Sequence, residues 1–439
     1  MKTKTITALL AVVTGATAFA QTTNYTTNPV VYIAGSTAFA PLDNAALDAY
    51  ASNNTFQLVA TTKDANPTKA KALLYARTNA AVPFGKNYKA TIDYISVHQT
   101  GSEDGVQSAS SGGTILKPFL DNNARGIALT DTSTNYPNLQ PVTITTSTVY
   151  QKNSQFYVGS KVGGGKAKAL TEVTATNTAP GLAVQTWAWS VGTNFPTNAL
   201  NISTETALSL LQKGNVPLSY FTGNTNDSTN GVWLIGRDDA AGSRNATELQ
   251  AGYGVLNANR NYWVTNIVSG GVTNIALALT PAATVLNIAQ ALGNGGYSSA
   301  TTQQAAATNI LPPNVQIDLN GTGSYTASPY TGTNYLIQYN GFANSVGAAN
   351  LYALSYNGAY PSTNGVVSGS YTFWTYEHLY YSPTKAPTNT LAIAQSIANY
   401  IWGKTSAQLS SAAGGGGYLN IKDLNVNRTT DGGPVNKNQ

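Results

Sequence analysis

The chain has 439 residues, a formal charge of +5 and only 9% charged residues, and its basic residues are scattered rather than striped, which argues against a nucleic-acid groove. It has no cysteine, which excludes a disulfide framework, a thiolate metal site, a cysteine nucleophile and a lipid-modified cysteine. With Lys2 and Lys4 set aside, 21 basic residues face 18 acidic ones, a balance near +3.

Residues 1–20 read as a secretory signal: Lys2 and Lys4 precede an apolar stretch, and Ala18-Phe19-Ala20 before Gln21 fits a small-x-small cleavage site. The apolar run is too short to span a bilayer comfortably. The expectation is a periplasmic or secreted protein, cleaved near Ala20-Gln21, with enough chain for two domains.

VVYIA (30–34) reads as a buried strand and Pro41 to about Ser52 as a helix. A second helix is expected over 67–77, with Pro67 near its start, and helical character again in TILKPFLDNN (114–123). Strands are expected at 92–98 and 126–130, and this alternation predicts an α/β fold with an open sheet. Residues 132–183, rich in Thr, Asn and Gly, read as a variable insertion of loops and strands. Next come a strand at 185–191, a helix at 204–213 closed by Gly214, and a strand at 231–237. A helix is expected at 281–292, with strands at 335–339, 350–356 and 371–380 and a final long helix at 388–402.

Four short stretches could supply oxyanion ligands: AGSTAFAP (34–41), QTGSEDG (99–105), ALTDTS (128–133) and GRDDAAGSRNAT (236–247). In the first and last, a strand ends in small residues, a hydroxyl follows and a helix begins. Unpaired amides at a helix start favour an anion, and small residues let it approach the backbone. Any one of these stretches is more commonly just a turn.

Taken in order, the set resembles the phosphate-binding proteins of phosphate ABC transporters, which are type II periplasmic binding proteins. Ala34-Gly35-Ser36-Thr37-Ala38-Phe39-Ala40-Pro41 is similar to that family's opening motif, and Arg237-Asp238-Asp239-Ala240-Ala241-Gly242-Ser243-Arg244 to its Arg-x-Asp-Gly-Ser-Gly-Thr. Residues 101–105 and Thr130-Asp131 resemble its second and third loops, and 341–358 and 371–402 its later stretches.

The resemblance implies two α/β lobes with a ligand cleft between them, one of 21–190 plus 370–439 and one of 191–369, with hinges near 190 and 370. It implies phosphate held by the Thr37 hydroxyl and the amides of Thr37 and Ala38, with Ser36 beside them. Ser102 would donate from the second loop, Arg237 through its planar fork, and Gly242 and Ser243 through backbone N–H groups, with Arg244 adjacent. Asp131, an acceptor only, would demand a proton on the ligand and so reject sulfate. Ala241 stands where the family has Ser, and Ser110-Ser111-Gly112-Gly113 is a second fit to the second loop.

The implied function is an exported, non-enzymatic solute-binding protein. It would capture inorganic phosphate for ABC-type uptake, deliver it to a membrane permease, and act as a monomer without a cofactor or metal. Alternatives are a binder of another oxyanion, a transporter-independent phosphate scavenger, and, from a different class, an extracellular adhesin or surface-layer protein. A secreted hydrolase lacks a recognisable nucleophile: there is no G-x-S-x-G. GSKVGGGKA (159–167) has Ser160 and Ala167 where a P-loop needs Gly and Ser/Thr. His98 and His378, with no Cys and no HExxH spacing, read as structural histidines.

Overall fold

The computed structural model describes residues 30–78, 82–84, 87–89, 92–176, 178–269, 271–282, 291–384, 387, 389–413 and 415–438. The signal segment and most of the expected 281–292 helix lie outside them.

The fold is mixed α/β. Its main sheet contains β1 (Val30–Gly35), β2 (Gln57–Thr62), β3 (Ala72–Thr78), β4 (Ile92–His98), β5 (Gly126–Leu129) and β6 (Ile144–Ser147). It continues through β7 (Ala183–Gly192), β8 (Asn215–Pro217), β9 (Gly231–Leu234), β10 (Asn334–Gly341) and β11 (Trp374–Tyr381). The strand order is β8-β9-β10-β7-β11-β6-β1-β4-β3-β2-β5.

Two long strands join the halves of this sheet. The first part of β7, Ala183–Thr186, pairs with β11, whereas its second part, Trp187–Val191, pairs with β10. The far part of β11, His378–Tyr381, pairs with β6. One lobe is therefore built on β6-β1-β4-β3-β2 and the other on β10-β9-β8, with β7 and β11 common to both. Every residue of β7 is buried, as a strand covered on both faces must be.

Helices α1 (Ala40–Asn53), α2 (Ser102–Ser110), α3 (Thr204–Lys213), α4 (Gly242–Gln250), α5 (Ala300–Ala307) and α6 (Thr390–Trp402) flank the sheet. In the first lobe Leu42, Ala46 and Leu47 of α1 and Ile393, Ile397 and Ile401 of α6 share a core with Ile33, Val97 and Ile144. In the second, Leu210 and Leu211 of α3 and Ala246 of α4 pack with Trp189, Val232, Ile337 and Tyr339. Helix α3 starts with the Ser203 hydroxyl accepting from Thr206 N and ends at a left-handed Gly214, as its sequence predicts.

Three expectations are corrected. The helix expected over 67–77 is a single turn, Pro67–Lys69, followed by β3. In β3, Leu73 and Tyr75 enter one core while Ala72 and Leu74 enter another, and a run buried on both faces cannot be told from a buried helix by periodicity. Within 114–123 the regular element is a short strand, Lys117–Phe119, because Pro118 cannot continue a helical ladder. Finally, 132–183 is not wholly peripheral: β6 runs parallel to β1 and antiparallel to β11 in the middle of the sheet.

Candidate anion-binding cleft

The ends of β1 and β6 and the starts of α1, α2 and α4 meet where the lobes face each other. After β1 the Ser36 amide donates to Thr146 O (3.1 Å), and the Ser36 hydroxyl accepts from Phe39 N (3.2 Å). Ser36 is thus consumed in shaping the corner. Thr37 is exposed and Ala38 half-buried just ahead of α1, and among the described residues neither amide has a hydrogen-bond partner. Ala38 O accepts from the Tyr418 hydroxyl, which ties the corner to the C-terminal segment.

Helix α2 starts against this corner. Gly101 N donates to Gly35 O (2.8 Å) and Gly101 adopts φ 139°, a conformation that favours glycine. Ser102, at the first helical position and fully buried, has its Oγ 3.3 Å from Thr148 Oγ1. Thr148 lies one residue beyond β6 and its amide faces the same Ser102 oxygen at 3.4 Å. Ser110 and Ser111 are at the opposite end of α2, so the start of the helix carries Ser102 alone of the two candidates.

Helix α4 arrives from the other lobe. A Cβ added at Gly242 would lie 2.0 Å from Thr148 Oγ1 and 2.5 Å from Ser102 Oγ, so the start of α4 touches the start of α2. Glu103 N donates to Ala240 O (3.3 Å) across the same seam. Among the described residues neither Gly242 N nor Ser243 N has a backbone acceptor, and Ser243 Oγ is buried without a partner. Ala241 precedes the helix with no side-chain cap, so the hydroxyl expected from the motif is missing.

Three sequence-predicted ligands stand elsewhere. Asp131 lies beyond β5, at the outer edge of the sheet, where it pairs with Lys71 Nζ (3.0 Å) and accepts from the Tyr136 hydroxyl (2.6 Å). Partial burial pushes its pKa up, but Tyr136 and Lys71 together hold it below the ordinary value. It contributes nothing to the cleft, because order along the chain does not fix which sheet edge a strand occupies. The Arg237 guanidinium donates to Tyr297 O (2.8 Å) and Ser298 O (3.1 Å), and burial pulls its pKa down. Arg244 is spent on Glu248 Oε1 (2.7 Å) and Asn294 O (2.6 Å). Both forks position the neighbouring loop at 294–298.

Carboxyl groups crowd around the seam. Glu103 is fully buried and burial pushes its pKa up to about 8; burial likewise raises Glu248 to about 7 and Asp238 to about 6. In the first turn of α1, Asp43 accepts from Thr146 Oγ1 (2.9 Å), and burial raises it to about 8. Glu377 on β11, beside Asp43, is raised well above the usual range, again by burial first and then by Asp43. Burial thus disfavours a negative charge on either group behind the corner.

Sequence reasoning missed Thr148, Glu103, Asn245 and Gln155. The β-branched run VTITTST (142–148) is the signal that could have placed Thr148 at a strand end. The two histidines sit apart from the cleft. His98 stacks on Tyr136 at 4.2 Å, and His378 pairs with Glu172 at 2.7 Å. Among the described residues no group of three or more His, Asp and Glu is placed to hold a metal ion, and no helix is long and apolar enough to cross a membrane.

No family model matches the chain, and no curated protein matches it. Among solved structures it is similar to a substrate-binding protein assigned to a phosphate ABC transporter, with phosphate bound, from Clostridium perfringens. That likeness has 12% identity, covers 90% of this chain and 100% of that one, and has a TM-score of 0.43. It is also similar to an ABC-type phosphate transport receptor from Vibrio cholerae, at 11% identity over 89% of this chain and 99% of that one, with a TM-score of 0.41. At such scores the function of this chain has to be argued from its own cleft.

Proposed function

We propose that the chain is a solute-binding protein that holds a tetrahedral oxyanion, with inorganic phosphate as its principal ligand, between two lobes. The observation that carries this reading is the meeting of the starts of α2 and α4 at Ser102, Thr148 and Gly242, with Ser243 Oγ buried there and unsatisfied. Helix starts offer free amides and the positive end of the dipole, and hydroxyls complete the donor set without a fixed cation. Thr37 and Ala38 add amides from α1, and Ser102, Gly242 and Ser243 supply the rest. Arg237 and Arg244 act by fixing the 294–298 loop rather than by gripping the anion.

Such a site is built to bind: it presents donors to an anion. Bending at β7 and β11 would open and close the cleft, a hinge motion suited to capture and release. The motif resemblance adds the partner, an ABC-type membrane permease, and the N-terminal segment adds export to the periplasm or beyond.

One observation favours a wider ligand range. The strand end that reaches Ser102 carries the Thr148 hydroxyl and not a carboxylate, so nothing there requires a proton on the ligand. Sulfate would then compete with phosphate.

The test is a melting-temperature series on ligand-stripped protein with phosphate, sulfate, molybdate and a sugar panel. At a hundred times its dissociation constant, a ligand stabilises by about 2.7 kcal/mol. A shift with phosphate is expected. No shift with any oxyanion refutes the reading.

A further inference from the structure

Glu103 occupies the second position of α2, in a helix turn whose dipole favours an ionised carboxylate wherever it meets water. Here it is completely buried. Its Oε1 is 2.5 Å from Asn245 Nδ2 on α4, in the opposite lobe, and its Oε2 accepts from Gln155 N at 3.0 Å. Gln155 itself reaches over the seam, donating from Nε2 to Asp239 O at 3.0 Å. Glu103 is thus the hub of a polar bridge from the first lobe to the loop and helix that carry Gly242 and Ser243.

The charges around this hub are of the wrong kind for a carboxylate. Glu248 on α4 and Asp239 ahead of it both face Glu103 and both oppose its ionisation. The Arg244 guanidinium, on the same helix as Asn245, is committed to Glu248 and Asn294. Asp104, next in α2, is held by Lys117. Gln155 N and the Asn245 amide both donate to Glu103 and favour its charged form, but burial outweighs them.

We propose that Glu103 is a positioning residue that clasps the two walls of the cleft as a neutral carboxylic acid, so that closure on an anion takes up one proton from solvent. This rests on the anion-binding reading above. When the lobes part, Glu103 meets water at a helix start and releases its proton. When they close on a ligand, the incoming anion takes the place of water at the start of α2, and the carboxyl must be neutral to be buried between Glu248 and Asp239.

The sign follows from linkage. The closed form holds the proton up to about pH 8, the open form only up to the ordinary carboxylate range. Closure is therefore strongest in acid, weakens by up to tenfold per pH unit between those limits, and levels off above about pH 8.

The experiment measures phosphate affinity of the wild type, Glu103→Gln and Glu103→Ala by calorimetry from pH 5.5 to 9. Taking the wild-type to Gln ratio cancels the ionisation of phosphate itself. The ratio should fall with pH and flatten above about 8; Gln should keep acid-range affinity while Ala loses it throughout. A flat ratio overturns the proposal, as does equal damage by Gln and Ala. Infrared difference spectra of wild type minus Glu103→Gln, both saturated with phosphate, supply a readout other than affinity: a protonated-carboxyl band at pH 7 is expected in the bound form, and its absence refutes the clasp. Failure of phosphate and sulfate to bind at any pH refutes the anion reading instead, and the proton uptake that rests on it falls with it.

Discussion

Ser102 Oγ and Thr148 Oγ1 lie 3.3 Å apart, and the Cα of Gly242, from the other lobe, is set directly against both. The two hydroxyls come from different elements, a helix start and a strand end, 46 residues apart in the chain. Their meeting point is where two helix dipoles from opposite lobes are aimed, and the predictions below test that point and its surroundings.

Gly242→Ala places a methyl carbon 2.0 Å from Thr148 Oγ1. Gly242 is the first residue of α4, where alanine suits the helix, so the lobe itself should fold normally. The damage falls on closure. Overpacking costs about 1–3 kcal/mol, so phosphate affinity should drop by about ten- to a hundredfold. Calorimetry reads the loss, and small-angle scattering should show a more open particle in phosphate. Unchanged affinity would place the ligand elsewhere.

Thr148→Asp puts an acceptor against Ser102. A carboxylate there tolerates a ligand that brings its own proton and repels one that does not. The wild type should bind sulfate within about a factor of ten of phosphate, a gap of about 1.4 kcal/mol. The variant should retain hydrogen phosphate and lose sulfate. Competition binding distinguishes the cases, and a wild type that ignores sulfate would show that some other group selects for the proton.

Arg237→Ala removes the donors to Tyr297 O and Ser298 O. Hydrogen bonds from a charged donor are worth about 1.5–3 kcal/mol, so the variant should melt earlier. Phosphate affinity should fall by less than about tenfold, because the fork holds a loop and not the ligand. A loss beyond a hundredfold with little change in melting would mean that the guanidinium swings onto the anion when it binds.

The elements that were legible in the sequence are those whose signals are local. The corner at 34–41 and the run at 236–247 announce a strand, small residues and a helix start within a dozen residues, and both turn up at the cleft. Helix α3, with Ser203 before it and Gly214 after it, is legible for the same reason. What was not legible depends on distant neighbours. Strand β6 has only four residues inside a Thr- and Asn-rich stretch, and its place between β1 and β11 comes from pairing with chain over a hundred residues away on each side. Asp131 stands away from the helix starts because β5 docks beside β2 at the sheet edge, a register no spacing in the sequence encodes. Likewise the direction of Arg237 and Arg244 is set by carbonyls of the 294–298 loop, which no motif around position 237 can announce.

The buried acids predict an unusual dependence of stability on pH. Asp43 is raised to about 8 by burial, and burial also raises Glu377 beside it well above its usual range. A carboxyl with a raised folded-state pKa keeps its proton when folded and loses it when unfolded. The folded state then binds more protons than the unfolded one between the ordinary carboxylate range and about pH 8, and stability falls as pH rises through that window. The effect approaches about 1.4 kcal/mol per pH unit for each fully buried group. The melting temperature should therefore be highest near pH 5 and decline toward pH 8, opposite to a protein held by carboxylate salt bridges. Asp43→Asn replaces the carboxyl with a neutral group of the same shape that can still accept from Thr146 Oγ1. It should melt close to the wild type at pH 5 and clearly above it at pH 8. A variant that is destabilised equally at both pH values would show that Asp43 is ionised in the fold.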